Sequence, residues 1–290
     1  MNIVKSVRDN LSNKDTISFA HNPSPYARTK IVAGYDAYKD KNGVTQFGEV
    51  VFETENMIVL CGSLFTLEKV FGVQAPINIA TLNDITGIAN TGTAIANNKN
   101  TYVCLFGVGI GGAGETITDV KDVKYYEREI VDMIPLRQTS NELTAAEAEK
   151  YWFKKTVDID GVLKTAFYLK RFESDPEIRV LWRDAEGDDD GSEVGDNVYQ
   201  TSEANTTPIE TFIEMTLKIT KNDVREYFND LGNVEVTRIN SIGLFSGVKG
   251  TLEDGTEDYK DVRLFSKLNI NNEMLTLSKD LTISYRIYTS

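Results

Sequence analysis

The sequence predicts an α+β protein, predominantly β, built of antiparallel sheets or a sandwich with a few short helices and long loops. Three observations carry that expectation. Ile209, Thr211, Ile213, Met215, Leu217 and Ile219 alternate with Glu210, Phe212, Glu214, Thr216 and Lys218, the two-residue period of a long strand with one face on a core. Runs rich in valine, isoleucine and aromatic residues recur along the chain, separated by turn-forming Gly, Asn and Asp. Helical signals are confined to a few short stretches.

In chain order, Thr16 to Val73 is strand-like, with Lys41-Asn42-Gly43 as a turn and Phe47 to Leu60 rich in Val, Phe and Ile; a short helix is expected at Leu67 to Phe71. Pro76 to Asn98, rich in Ala, Asn, Thr and Gly, reads as a short helix plus an exposed loop. Thr101 to Phe106 reads as a buried strand and runs into the cluster Gly107, Gly109, Gly111, Gly112 and Gly114. Thr144 to Glu147 is a capping-box sequence that predicts a helix over Ala148 to Lys155, with Ala148, Tyr151 and Trp152 facing inward. Asp160-Gly161 is a turn into a strand over Val162 to Glu173. Asn222 and Asp223 are candidate caps for a helix through Val224, Tyr227, Phe228 and Leu231, closed by Gly232. Strands at Val234 to Phe245, Val262 to Ile270 and Leu281 to Thr289 make the last third read as one antiparallel sheet with a helix laid on it. The chain is either one elaborated domain over 1–290 or a β-rich part over 1–140 followed by a sandwich-like part over 141–290.

Composition narrows the chemistry. Of 290 residues, 44 are Asp or Glu and 31 are Lys or Arg, a net charge of −13 that disfavours gripping a phosphate backbone with the molecule as a whole. The single histidine, His21, lies in a turn-rich Ala-His-Asn-Pro-Ser-Pro context, so neither a multi-histidine metal site nor a robust imidazole-based triad is expected. Cys61 and Cys104 each sit in an apolar run and read as reduced, buried thiols in strands. No secretion signal and no membrane-spanning stretch of about 18 apolar residues is visible.

Two stretches invite a ligand. Gly107-Val-Gly109-Ile-Gly111-Gly112 satisfies the G-x-G-x-x-G spacing after a predicted strand, the pattern that brings a pyrophosphate to a helix N-terminus. The following Ala-Gly-Glu-Thr lacks the start of a helix and puts Glu115 near the phosphates, so a flexible or close-packed glycine loop is the expected reading. From Asp184 to Asp196 the chain carries seven carboxylates and no basic residue. Glu186, Asp188 and Asp190 with Gly191 approximate the start of a calcium loop; Asp184 and Asp189 add charge, but position 12 is Asn197 instead of a bidentate glutamate. A solvated acidic loop or docking surface is expected there, and no cofactor or metal is assigned. Ser24, Ser63 and Ser246 lack a nucleophile-elbow context, and the aromatics Tyr125, Tyr126, Tyr151, Trp152, Phe153 and Trp182 suit packing or subunit contacts.

The stretches Arg-Ile-Asn-Ser-Ile-Gly-Leu-Phe (238–245), Asp-Val-Arg-Leu-Phe-Ser-Lys-Leu (261–268) and Leu-Thr-Ile-Ser-Tyr-Arg-Ile-Tyr (281–288) resemble a strand module of virion proteins from large tailed bacteriophages. Gly-Ser-Leu-Phe-Thr-Leu-Glu-Lys-Val-Phe (62–71), and 106–115 running on to Trp182-Arg183-Asp184, resemble structural proteins of large phages infecting Gram-positive hosts. The chain is thereby similar to the neck or head-to-tail connector proteins of contractile-tailed phages. That resemblance implies a non-enzymatic, homo-oligomeric ring in the virion, assembled in the host cytoplasm, joining portal or adaptor above to tail terminator below. DNA would pass through as cargo without specific binding, repelled by a negative lining, and no membrane is involved. The glycine cluster and the 184–196 stretch would then be assembly loops. A tail or baseplate position is the alternative within the same class; a nucleotide- or calcium-dependent soluble enzyme is the alternative outside it.

Overall fold

The computed structural model describes residues 27–55, 57–58, 60–73, 81, 101–110, 133–182, 209–232, 237–251, 257–274 and 279–289. These residues form a predominantly antiparallel β structure with short helices. One sheet has five strands in the order β2 (Thr45–Thr54), β1 (Ala27–Lys39), β13 (Leu281–Thr289), β10 (Ile209–Ile219), β9 (Glu177–Trp182). The second has eight. Its main path runs β3 (Met57–Ile58), β12 (Glu257–Met274), β11 (Arg238–Thr251), β4 (Thr101–Gly109), β8 (Val162–Arg171), β6 (Arg137–Thr139), with β5 (Met133–Ile134) on β4 and β7 (Tyr151–Ile159) on β8.

The inner faces of the two sheets pack on each other as a sandwich. Ile31, Ala33, Met215, Leu217, Ile219, Ile283 and Tyr285 from the first sheet and Phe106, Val108, Ile242, Leu244, Leu268 and Ile270 from the second belong to one continuous buried cluster. Burying a side chain of this size contributes roughly 1.5–3 kcal/mol. A smaller cluster of Cys104, Leu105, Phe153, Leu169, Phe245, Tyr259 and Val262 includes Leu105 and Phe245, neighbours in sequence of core residues Phe106 and Leu244.

Strands from 1–140 and 141–290 interleave in both sheets: β13 lies between β1 and β10, and β4 between β11 and β8. The last third is accordingly not one sheet. β10 and β13 join the first sheet while β11 and β12 join the second. The single face expected for β10 is also corrected. Met215, Leu217 and Ile219 are buried as predicted, but so are Phe212, Glu214 and Thr216 on the other side, because the turn between β1 and β2 folds over that face.

Three helices are described: α1 (Leu60–Phe71), α2 (Ala145–Ala148) and α3 (Arg225–Asp230). The expectation at Leu67–Phe71 grows to twelve residues and takes Cys61 out of its predicted strand. The reason is tertiary. Gly62 lets the helix touch β12, where a Cβ would lie 2.0 Å from the Phe265 carbonyl oxygen, and Phe65 meets the Phe265 ring edge-on at 6.0 Å. The helix predicted over Ala148–Lys155 stops after a single turn at Ala148. The Glu147 carboxylate does accept from the Thr144 N–H (3.1 Å) and hydroxyl (2.8 Å), as the capping signal implies. Tyr151 onward is nevertheless strand, pairing with β8 across Asp160-Gly161, both at positive φ (53° and 80°), with Ile159 opposite Val162. A two-residue turn of this kind matches the strand twist, and the aromatic and β-branched run beside it favours the hairpin over a longer helix.

Asp223 does not cap α3. Val224, at φ 56°, occupies the cap position and Asp223 turns inward; Gly232 closes the helix at φ 75° as expected. His21, the acidic stretch 184–196 and, apart from Thr81, the segment Pro76–Asn98 lie outside the described residues. No helix among the described residues is long and apolar enough to cross a membrane.

Replacing Gly62 with Ala should push α1 off β12 and cost about 1–3 kcal/mol. A chemical-denaturation midpoint unchanged from the parent would refute the close approach as the reason for glycine there.

Candidate functional site

Buried carboxylates enter the described interior at two places. The first lies where α3 and the turn before it dock on the second sheet. Asp223 is buried, and its carboxylate accepts from Lys170 Nζ (2.6 Å), Tyr151 Oη (2.6 Å) and the Thr220 N–H (2.7 Å). Lys170 Nζ also lies 5.1 Å from the centre of the Tyr151 ring, in cation–π range. Burial pushes the Lys170 ammonium below its ordinary range, opposed by Asp223. Burial and the neighbouring carboxylate push the Tyr151 hydroxyl well above its ordinary range.

Around this centre a second ring of bonds ties α3 down. Arg137 Nε donates to Glu226 (3.1 Å) and its Nη1 to Glu147 (2.9 Å), while the Gln138 N–H also reaches Glu226 (2.8 Å). Lys164 and the Gln138 amide share Asp230, each at 2.6 Å. The Arg137 guanidinium, with the Thr144 bonds, holds the Glu147 carboxyl down at about 2. The main chain joins in through the Val224 N–H on the Leu136 carbonyl at 2.7 Å, the residue after Pro135, where the strand breaks between β5 and β6.

The second place is Glu214 on β10. Its carboxylate accepts from Lys39 Nζ (2.8 Å), the Ser284 hydroxyl (2.7 Å), Arg286 Nε (3.2 Å) and the Thr45 N–H (3.0 Å). Arg286 Nη2 donates in turn to the Thr45 carbonyl at 2.7 Å. Burial works to raise this carboxyl, but Lys39, Ser284 and the Thr45 N–H hold it below the usual range. Both carboxylates are thus engaged chiefly by donors from other elements. In chemical terms each is a clamp: its lone pairs are spent on protein donors, not aimed at an open cleft.

The glycine cluster divides. Gly107 and Gly109 are strand residues of β4 and not loop residues, Gly107 opposite Gly243 and Gly109 between Ser241 and Met133. The correction follows from pairing: antiparallel neighbours on both sides engage this stretch of backbone and keep it from opening onto a helix. Gly111, Gly112 and Gly114 lie outside the described residues, as do Asp184, Glu186, Asp188, Asp189 and Asp190. Where Gly107 and Gly243 meet, side chains from neighbouring positions fill the space; a Cβ on Gly107 would lie 2.5 Å from Met133 Cε, and one on Gly243 2.9 Å from the Phe245 ring. A pocket of about 20 Å³ remains, lined by Gly107, Gly109, Ser241, Gly243, Leu264 and Lys267 among others. That is room for about one water. Lys267 Nζ is buried there, and desolvation pushes its ammonium down to about 8. Cys104 is free and buried as expected, its thiol pushed up to about 12 chiefly by that burial, so it is protonated at neutral pH. Among the described residues no group of His, Cys, Asp and Glu is arranged to hold a metal ion.

Sequence reasoning missed Lys170, Glu214, Arg286 and Lys267 as interior charges and took Asp223 for a cap. The available signal was a charge flanked by apolar residues, as in Ile-Glu-Met (213–215); Lys170, beside Arg171 at the end of Ala-Phe-Tyr-Leu (166–169), offers less. Their partners come from as far as 241 residues away, as for Arg286 and the Thr45 carbonyl, and no spacing rule reaches that far.

Asp223→Ala should destabilise the protein by about 3–5 kcal/mol, because it leaves Lys170 buried without its counter-charge. Asp223→Leu combined with Lys170→Met should recover most of that loss in the same denaturation assay, and a double variant as unstable as the single would refute the clamp. For Lys267 the folded state titrates near 8 and the unfolded near about 10.4, so the unfolded chain binds more protons between those values. Its contribution therefore makes stability rise with pH through that window. Lys267→Met should raise the melting temperature at pH 7 and flatten the rise between pH 8 and about 10.4, measured by thermal melts across pH.

No curated protein and no solved structure matches the chain. Residues 54–213, from the end of β2 into β10, match the family of unknown function DUF7208. Because that match covers more than half of the sequence, the chain belongs to the DUF7208 family.

Proposed function

We propose that the protein is a non-enzymatic structural component of a tailed-phage virion, a homo-oligomeric ring in the neck that joins the portal region to the tail. The observation that carries this reading is how the interior charges are used. Asp223 and Glu214, the carboxylates best suited by burial to acid–base work, are consumed in bonds between elements. Large apolar side chains meanwhile stand exposed on α1 (Leu67, Val70, Phe71) and on the β9 edge (Ile178, Val180). Rigid clamps inside and apolar contacts outside suit a part whose work is assembly. Support also comes from the resemblance carried by 238–245, 261–268 and 281–288, which lie within β11, β12 and β13. A net charge of −13 suits a channel through which DNA slides as cargo. Its neighbours would be further copies of itself with portal, adaptor or tail terminator.

Negative-stain images of the purified protein should show closed rings, and cross-linking in intact particles should recover it with portal-side proteins. Recovery with tail-tip proteins alone would move it to the tail or baseplate. A thermal stabilisation near 2.7 kcal/mol by a nucleotide or calcium at about 100 times its dissociation constant, with no assembly, would replace the structural reading with the ligand-dependent enzyme.

A further inference from the structure

β9 is the terminal strand of the five-stranded sheet and pairs, among the described residues, with β10 alone. Ile178 is 74% exposed and Val180 42%. Across the strand pair Ile178 faces Ile213, itself 37% exposed, and Ile213 shares its side of β10 with core residues Met215 and Leu217. The apolar row that forms the sandwich interior therefore continues into solvent at this edge. Glu177 and Arg179, on the opposite side of β9, form an ion pair with each other. Soluble proteins commonly blunt an edge with an inward-pointing charge, a bulge or a proline within the strand. The stretch Glu177-Ile-Arg-Val has no bulge and no proline; Pro176 lies just ahead of it, Arg179 turns away from the sandwich interior towards Gly43 of the β1–β2 turn, and the pairing with β10 is unbroken.

The sequence of this edge is complementary to itself. An antiparallel pairing of two β9 strands centred on Ile178 sets Glu177 opposite the second copy's Arg179, and Arg179 opposite its Glu177. Ile178 then meets Ile178. Opposite charges and apolar side chains set directly across a strand pair each favour it, whereas shifting the centre to Arg179 sets two arginines face to face. We propose that two copies of this chain associate through β9 by antiparallel strand addition centred on Ile178, extending the five-stranded sheet across a two-fold axis. The contact is isologous, so it makes pairs and leaves any ring contact to other surfaces. It stands or falls independently of the neck assignment.

Ile178→Cys tests the register in the full chain. Directly opposed residues of antiparallel strands have Cα atoms about 4.5–5.5 Å apart, within the reach of a disulfide. In the same register the two copies of residue 180 are roughly 14 Å apart. Mild oxidation of Ile178→Cys should therefore give a covalent dimer, and the same treatment of Val180→Cys should not. Sedimentation equilibrium supplies the second readout. Glu177→Arg and Arg179→Glu should each weaken self-association about tenfold or more, while an equimolar mixture of the two should restore it as a heterodimer. Circular-dichroism melts confirm that each variant is folded. A parent chain that stays monomeric at all concentrations, cross-linking at 180 in place of 178, or a mixture no tighter than its components would overturn the proposal. Rings that form without cross-linking at 178 would overturn it too, while leaving the neck reading intact.

Discussion

The first sheet depends on the placement of its last strand. β13 is the final described element of the chain, yet it sits at the centre, bonded to β1 from Ala27↔Thr289 to Gly34↔Thr282 and to β10 from Thr211↔Thr289 to Ile219↔Leu281. Without it β1 and β2 lose their link to β10 and β9, and Ile283 and Tyr285 leave the core. The pairing with β1 joins positions more than 200 residues apart. Its loop-closure cost falls before the contacts form, so the sheet can be completed only after the C-terminal strand is available.

The buried charges make this arrangement specific. Glu214 on β10 gathers Lys39 and Thr45 from the first hairpin with Ser284 and Arg286 from β13, so one carboxylate reports on three strands and a turn. Asp223 does the same for β7, β8 and the turn before α3. Taking such groups out of water costs several kcal/mol per ion, and their mutual attraction roughly offsets that only when every lone pair is met. Apolar packing alone would tolerate a hairpin lying at other angles on the sheet. A carboxylate that must find four donors tolerates far fewer.

The surface has a different logic. The apolar residues on α1 and β9 lie on opposite sheets, and neither group is needed to complete the central cluster. Their exposure costs solubility without strengthening the fold, a combination that suits contact surfaces better than structural filler. The glycine meeting point of β4 and β11 is by contrast a packing device. Glycines there let Met133 and Phe245 fill the space, with about one water's volume left beside Lys267.

The sequence by itself determined the class of the fold, because side-chain alternation and turn chemistry are local: β10, the Asp160-Gly161 turn, the Gly232 stop and the three C-terminal strands are all readable from neighbouring residues. It also showed the capping box at Thr144, though not that its helix would end after one turn; the longer-range gain of pairing β7 with β8 outweighed the local helical signal. Only tertiary structure decided which sheet each strand joins, why α1 begins as early as Leu60, and that Gly107 and Gly109 are strand residues. It alone turned Asp223, Lys170 and Glu214 from ordinary polar residues into interior clamps. The physical reason is distance along the chain. A buried charge is stable only beside its partners, and here the side-chain partners are 53 to 175 residues away, beyond any pattern that neighbouring residues can carry.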